Sequence, residues 1–213
     1  MTKSAYVLRL DAIQSAANEL LRGHGFRKSG RSHNRTTDKG LIHVVNFQMG
    51  EFPIGDYVIP GIRESSYGTF AVNLGVLLPC IYRLYPFPMP KTVRDGHCSI
   101  RSRILNPNGN ESFSLEVGKS PDPSDILTSL RVQAFPFFDQ FEAYKDVIAY
   151  YRRHNVLPSQ NHGRASLEAA VILHELGDTK NASHVFDEAY DSDHKGFKEY
   201  VSEVAARFGY VVS

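Results

Sequence analysis

Residues 70–78 read Phe-Ala-Val-Asn-Leu-Gly-Val-Leu-Leu, and residues 98–104 read Cys-Ser-Ile-Arg-Ser-Arg-Ile. Successive side chains of a β-strand point to opposite faces, so this alternation predicts two strands. The apolar face of the first strand would carry Phe70, Val72, Leu74, Val76 and Leu78. Its other face would carry smaller and more polar side chains. Such strands are typical of an antiparallel sheet that buries one face and leaves the other partly exposed to solvent.

Helical patterns stand on both sides of these strands. Apolar residues at helical spacing predict an N-terminal helix over residues 5–22 and several helices after residue 121. Strands are predicted over residues 27–36, 41–49, 69–78, 98–105 and 112–117. The first of these would be a charged edge strand. The fold class is therefore α+β, with an N-terminal helix, an antiparallel sheet of four to five strands and C-terminal helices.

Proline and glycine mark the connections between these elements. Residues 50–68 and 79–97 each contain several of them and are predicted loops, the second with no helix. Pro136 is expected to end or kink the helix that follows Asp122. We expect a helix-plus-sheet part over residues 1–120 and a helical part over residues 121–213 that docks on it, the two forming one compact unit.

The composition indicates a soluble globular protein. Hydrophobic residues make up 42% and charged residues 22% of the 213 residues, which is ordinary for that class. No run of about 18 apolar residues predicts a membrane span, and the first residues lack a signal-peptide pattern. The two cysteines, Cys80 and Cys98, are too few for a disulfide-stabilised secreted domain of this size. We therefore expect a cytoplasmic protein.

Charge is unevenly spread along the chain, although the net charge is only +1. Residues 1–39 carry eight Lys or Arg against three Asp or Glu, and residues 120–213 carry nine against fourteen. A basic segment can bind the phosphates of a nucleic acid. Because the excess is small, the favoured interpretation is that the basic head and the acidic tail attract one another or are solvated independently.

The polar face of the predicted sheet is the first candidate site. If the strands are neighbours, this face carries Asn46, Gln48, Asn73, Arg101, Arg103 and Glu116. The planar guanidinium group of arginine presents N–H donors in an arrangement that fits carboxylates and phosphates, and side-chain amides can orient a ligand. We predict that a small anionic ligand would bind to Gln48, Asn73, Arg101 and Arg103. The alternative is a solvated surface on which one of the arginines pairs with Glu116.

The proline-rich loop over residues 79–97 is the second candidate site. Long loops in compact domains are often functional, and aromatic and Met side chains are favoured at protein interfaces. The residues predicted to bind a protein partner are Tyr82, Tyr85, Phe87 and Met89. The alternative is that they fold back over the sheet or fill the gap to the C-terminal helices.

Cysteine and histidine residues do not complete a known catalytic or metal-binding pattern. Cys80, His97 and Cys98 lack a Cys-x-x-Cys or His-x-x-x-His arrangement, so no metal and no cofactor is predicted. Cys98 falls on the apolar face of its predicted strand and is expected to be a small buried hydrophobic residue.

Four blocks of this sequence resemble successive blocks of a mainly bacterial family. They are Gly25–Arg31, Val45–Gln48, Phe70–Gly75 and Cys98–Arg103. Their order and spacing resemble the family catalogued as domain of unknown function 4304, over roughly residues 5–150. The resemblance implies an α+β fold, and it implies no activity, ligand or catalytic residue.

Three classes of function are compatible with these observations. The first is a non-catalytic binding or accessory protein, a toxin-neutralising protein among them, whose partner is an unknown protein or a small anionic ligand. The second is an enzyme or small-ligand domain that uses the polar sheet face. The third is a weak nucleic-acid binder that uses the basic N-terminal segment. The first is favoured because no set of nucleophile, base and metal ligands is recognisable.

Overall fold

A single antiparallel sheet lies at the centre of the computed structural model, which describes residues 4–50, 66–191 and 195–212. Its strands are β1 (Arg27–Ser29), β2 (Ser32–Thr36), β3 (Ile42–Met49), β4 (Thr69–Leu77), β5 (Ile100–Arg103) and β6 (Phe113–Ser114). The order is β1-β2-β3-β4-β5, and β6 pairs with the N-terminal end of β4. Most of the predicted loop over residues 50–68 lies outside the described residues.

One helix precedes the strands, a short one lies between β4 and β5, and the others follow the strands. They are α1 (Ala5–Gly23), α2 (Pro79–Tyr82), α3 (Pro123–Ser129), α4 (Phe135–Phe138), α5 (Tyr144–His154), α6 (His162–Glu175), α7 (Thr179–Tyr190) and α8 (Lys195–Arg207). A π-helical turn over Leu130–Ala134 joins α3 to α4, so helical structure continues past Pro136. Within the described part of the chain, no helix combines the length and the apolar character that crossing a membrane requires.

The predicted α+β class is confirmed, with six strands in place of four to five. The extra strand arises in residues 27–36, which were predicted as one edge strand. Gly30 adopts a φ of 60°, and the chain reverses there to form the β1–β2 hairpin, in which Arg27 lies opposite Asn34. The last strand is shorter than predicted, since regular pairing is limited to Phe113 and Ser114.

The main core lies on the face of the sheet that the alternation predicted. Phe70, Val72, Leu74 and Val76 of β4 are at most 1% exposed. They belong to a continuous cluster of buried side chains that includes Leu10 of α1 and residues of the C-terminal helices. Burial of apolar surface at about 25 cal/mol per Å² makes this cluster the main source of stability. The division at residues 120 and 121 stays a prediction.

The segment from residue 79 to residue 99 covers part of the opposite face. The prediction that it contains no helix is wrong, because α2 begins at Pro79 and a 3₁₀ turn spans Asp95–His97. Proline is tolerated at the first helical position, where its missing N–H has no partner to lose.

A second, small core forms where this segment meets the sheet. Val93 and Cys98 pack there with Val44 and Leu77. Cys98 is buried as predicted, but on the opposite face from the one predicted. The reason is that β5 begins at Ile100, so the alternation of that strand does not extend back to Cys98.

Candidate functional site

Polar side chains stand in one row across the sheet, on the face opposite the main core. The strand registers place Ser32 opposite Asn46, Asn46 opposite Asn73, and Asn73 opposite Arg103. Asn46 Nδ2 donates to Ser32 Oγ over 2.7 Å. Glu116 does not join this row, because it lies beyond β6 in a turn and its carboxylate pairs with the Lys119 ammonium at 2.7 Å.

Three of the four residues predicted to bind a ligand are hydrogen-bonded to one another. Asn73 Nδ2 donates to Gln48 Oε1 over 2.7 Å, and Arg103 Nε donates to Asn73 Oδ1 over 2.9 Å. Arg103 Nη1 also contacts Glu111 Oε2 at 2.7 Å. The polar groups of this row are thus largely satisfied within the protein. The partner of Arg103 is Glu111, where the sequence suggested Glu116.

Arg101, the fourth predicted residue, differs from the other three. It lies opposite Gly75 on the same face, and its side chain is exposed. Within the described residues its guanidinium has no hydrogen bond and no ion pair. Its backbone N–H donates to Pro158 O over 3.4 Å, which holds the turn before α6 beside β5. Arg101 is therefore a positioned cation that is free to bind an anion.

Arg101 lines a cleft of about 500 Å³, here named the Arg101 cleft. It lies between β5, residues 81–98 and the first turns of α6. Three of the four predicted partner-binding residues also line it: Tyr82, Tyr85 and Phe87. Met89 is 42% exposed and is not part of the lining. The structure thus joins Arg101 to residues that the sequence assigned to a separate site. Arg101 also lines a neighbouring cavity of about 520 Å³ together with Asn73 and Arg103 of the polar row, and Gln48 lies in that row as well.

Aromatic rings form one wall of the Arg101 cleft. The rings of Tyr82 and Tyr85 meet edge to face with centroids 6.4 Å apart, and Tyr82 meets His97 in the same way at 6.2 Å. His97 Nδ1 accepts a hydrogen bond from the Arg94 backbone N–H over 3.1 Å. Phe87 is 66% exposed. The wall therefore combines fixed rings with one ring open to solvent.

An ion pair with a buried carboxylate lies next to the aromatic wall. Arg164 Nε contacts Glu168 Oε1 at 2.7 Å, and the Glu168 side chain is only 1% exposed. Gln160 Nε2 donates to Glu168 Oε2 over 2.9 Å and to Ser99 O over 2.8 Å. Arg164 also donates to the Tyr85 hydroxyl. Burial acts to lower the pKa of Arg164, but the Glu168 carboxylate and the Tyr85 hydroxyl together outweigh it, and the pKa rises above its ordinary value.

Sequence reasoning missed Gln160, Arg164 and Glu168. A signal was present, since Arg164 and Glu168 are four residues apart on a helix and such pairs face each other. Many helical pairs of this kind lie on solvated surfaces, however. The two partners of Glu168, Gln160 and Arg164, are in turn bonded to residues 99 and 85, which are far away along the chain.

The two cysteines are free thiols, and both are buried. Burial raises the pKa of the Cys80 thiol to about 12, and burial together with Asp95 raises that of Cys98 as well. Both thiols are therefore protonated at neutral pH, whereas the thiolate is the nucleophilic and metal-binding form. Over the described ranges, no group of three or more His, Cys, Asp or Glu side chains is placed to hold a metal ion.

The basic N-terminal segment is partly neutralised by acidic residues. Arg31 pairs with Asp11 at 2.7 Å. Arg35 pairs with Glu142 at 2.5 Å, which is a direct contact between the basic head and the acidic tail of the chain. These contacts reduce the positive charge that the segment offers to a phosphate backbone.

Together, these features define an α+β protein with an arginine and aromatic cleft on one face of its sheet. The family model described as Domain of unknown function (DUF4304) matches residues 17–140. The match spans more than half of the chain, so the protein belongs to this family, as the sequence blocks indicated. No curated protein and no solved structure matches the chain.

Proposed function

We propose that this protein is a non-catalytic binding protein that holds an anionic group of its partner in the Arg101 cleft. The observation that carries the proposal is the free, exposed guanidinium of Arg101 beside the rings of Tyr82, Tyr85 and Phe87. Arginine and aromatic side chains are enriched in binding hot spots, where a few residues supply most of the affinity. The exposed Phe87 ring adds an apolar contact.

The state of the thiols favours binding over catalysis. Cys98 lines the cleft, yet its buried thiol stays protonated and packs against the sheet. The ion pair of Arg164 and Glu168 is likewise engaged in internal contacts, which suits a role in shaping the cleft. A nucleic acid is not the favoured partner, because Arg31 and Arg35 of the basic segment are paired with carboxylates.

The partner in this proposal is a protein or a small anionic ligand. If the partner is a protein, the role that we propose is an accessory one, such as the neutralisation of a toxin. We place the protein in a bacterial cytoplasm. Two free thiols suit a reducing compartment, and the family resemblance given above is the basis for a bacterial source.

The proposal is tested with immobilised wild-type, Arg101→Gln and Arg103→Gln proteins. Arg103 is the matched control, because it is an arginine of the same strand whose guanidinium is already paired. The three proteins are exposed to a lysate of the source organism, and retained proteins and small molecules are identified by mass spectrometry. We expect a partner that wild type and Arg103→Gln retain and Arg101→Gln loses. Equal retention by all three proteins would contradict the proposal.

A further inference from the structure

We infer, on the basis of the proposed function, that the group held in the Arg101 cleft is a monoanionic carboxylate carried beside a flat aromatic ring. This names the chemical class of the ligand. It follows from the charge of the cleft, from the shape of its free cation and from the rings of its wall.

The charged side chains of the cleft sum to one positive charge. Among the described residues that line it, these are Arg101, Arg164 and Glu168. The Glu168 carboxylate balances the Arg164 guanidinium. His97 Nδ1 accepts a hydrogen bond from the Arg94 backbone N–H. One carboxylate therefore neutralises the cleft, whereas a phosphate monoester of charge about −1.5 to −2 would leave excess negative charge near the buried Glu168.

The guanidinium of Arg101 matches a carboxylate in shape. It is planar and presents parallel N–H donors, which bind the two oxygens of a carboxylate together. Arg164 is less suited to this role, because its Nε donates to Glu168 and its Nη2 donates to Tyr85. The backbone of Arg101 is held by the sheet and by Pro158 O.

The aromatic wall explains why a ring should accompany the carboxylate. Rings attract one another in edge-to-face and offset arrangements. Tyr82, Tyr85 and His97 already use such contacts, and Phe87 leaves 66% of its surface without cover. The volume of about 500 Å³ lies within the range of about 300–1,000 Å³ found for small-molecule sites.

The test measures binding of four probes to the full chain by isothermal titration calorimetry. Phenylacetate has both the ring and the single charge. Acetate lacks the ring, 2-phenylacetamide lacks the charge, and phenyl phosphate has the ring with a higher charge. We expect phenylacetate to bind about tenfold more tightly than each of the other three. We expect Arg101→Gln to weaken phenylacetate by about tenfold, and Arg103→Gln to leave it unchanged.

Phe87→Ala serves as a second variant, for the ring that is left uncovered. It should weaken phenylacetate and leave acetate unchanged, and circular dichroism checks that it is folded. Tighter binding of phenyl phosphate or of acetate through Arg101 would overturn the inference while leaving the proposed function in place. Equal losses in Arg101→Gln and Arg103→Gln, or no binding of phenylacetate, would also overturn it. The proposed function is decided separately by the retention experiment.

Two sources can supply this chemistry, namely a free aromatic acid or the C-terminal residue of a polypeptide. A tetrapeptide that ends in phenylalanine with a free carboxylate separates them, with the C-terminally amidated peptide as its control. Tighter binding of the free-acid peptide than of phenylacetate identifies a chain terminus. Weaker binding of that peptide identifies a free acid. Binding of the amidated peptide at equal strength would overturn the inference, because the carboxylate would then be dispensable.

Discussion

Gly75 and Cys98 approach so closely that a Cβ atom on residue 75 would lie 2.6 Å from the Cys98 Sγ. This contact fixes the segment that carries His97 and one side of the Arg101 cleft onto the sheet. It also explains a glycine in the middle of a long buried strand, where glycine usually weakens the structure. The position of the aromatic wall is therefore set partly by the absence of a side chain at residue 75.

Gly75→Ala should lower the free energy of unfolding by about 1–3 kcal/mol, because an added methyl group forces the Cys98 side chain to move. Urea denaturation measures the change. Gly96→Ala is the matched control on the neighbouring turn, since a Cβ there meets nothing within 4 Å. Equal stabilities of the two variants would show that the contact is not tight.

Val72→Asp should prevent folding, because residue 72 is fully buried in the main core and an isolated buried carboxylate is strongly unfavourable. Ala71→Asp places the same side chain one residue earlier, on the opposite and only partly buried face of the strand. That protein should remain folded. Circular dichroism and thermal melting compare the two, and a cooperative melt of Val72→Asp at the wild-type temperature would show that this face is not core.

Glu168→Gln should lower the free energy of unfolding by about 3 kcal/mol, because it leaves the largely buried Arg164 without its counter-charge. Glu175→Gln on the same helix is the control. Glu175 pairs with Arg83 at the surface, and an exposed pair contributes only about 0–1 kcal/mol. Chemical denaturation of both variants checks this, and a loss in Glu175→Gln as large as that in Glu168→Gln would contradict it.

Stability should fall between pH 6.5 and pH 4, because burial lowers the pKa values of His33 and His43 from 6.5 to about 4. Lys28 adds to the effect at His33, and Arg35 at His43. The unfolded chain takes up these protons first as the pH falls. The stabilisation is therefore complete above about pH 6.5 and is lost toward pH 4, by about 3 kcal/mol for each histidine.

His33→Leu tests this pH dependence. Neither ring nitrogen of His33 has a hydrogen-bonding partner of normal geometry among the described residues, so an apolar side chain can replace the ring. Urea denaturation over a pH series should show a smaller loss between pH 6.5 and pH 4 in the variant. His184→Leu, at a position whose side chain is 76% exposed, should behave as wild type does. An unchanged slope in His33→Leu would refute the assignment.

Local patterns predicted the elements well where burial follows a simple period. The alternation at Phe70, Val72 and Leu74 identified the core face, because strand geometry alone decides which side chains share a face. The points at which one element ends and the next begins were harder to predict. The turn at Gly30 divides a segment that reads as one strand, and Pro79 begins a helix in a segment that reads as a loop.

The candidate site was predictable only in part. Arg101 and Tyr82 were both identified from the sequence, but their meeting in one cleft depends on how residues 79–99 fold back over the sheet. The paired state of Arg103 also depends on Glu111, which lies eight residues further along the chain. Contacts of this kind depend on tertiary packing, so the spacing of apolar and polar residues along the sequence does not predict them.

The segment that matches the family ends at residue 140, but residues beyond it also line the Arg101 cleft. Arg101 and the aromatic wall belong to the matched segment, whereas Gln160, Arg164 and Glu168 lie downstream of it. The family match therefore covers the residues of one side of the cleft and not those of the other. A homologue that kept Arg101 and the aromatic wall but had other residues in place of Gln160, Arg164 and Glu168 would still bind a charged group. The molecule that carries this group could then have a different shape.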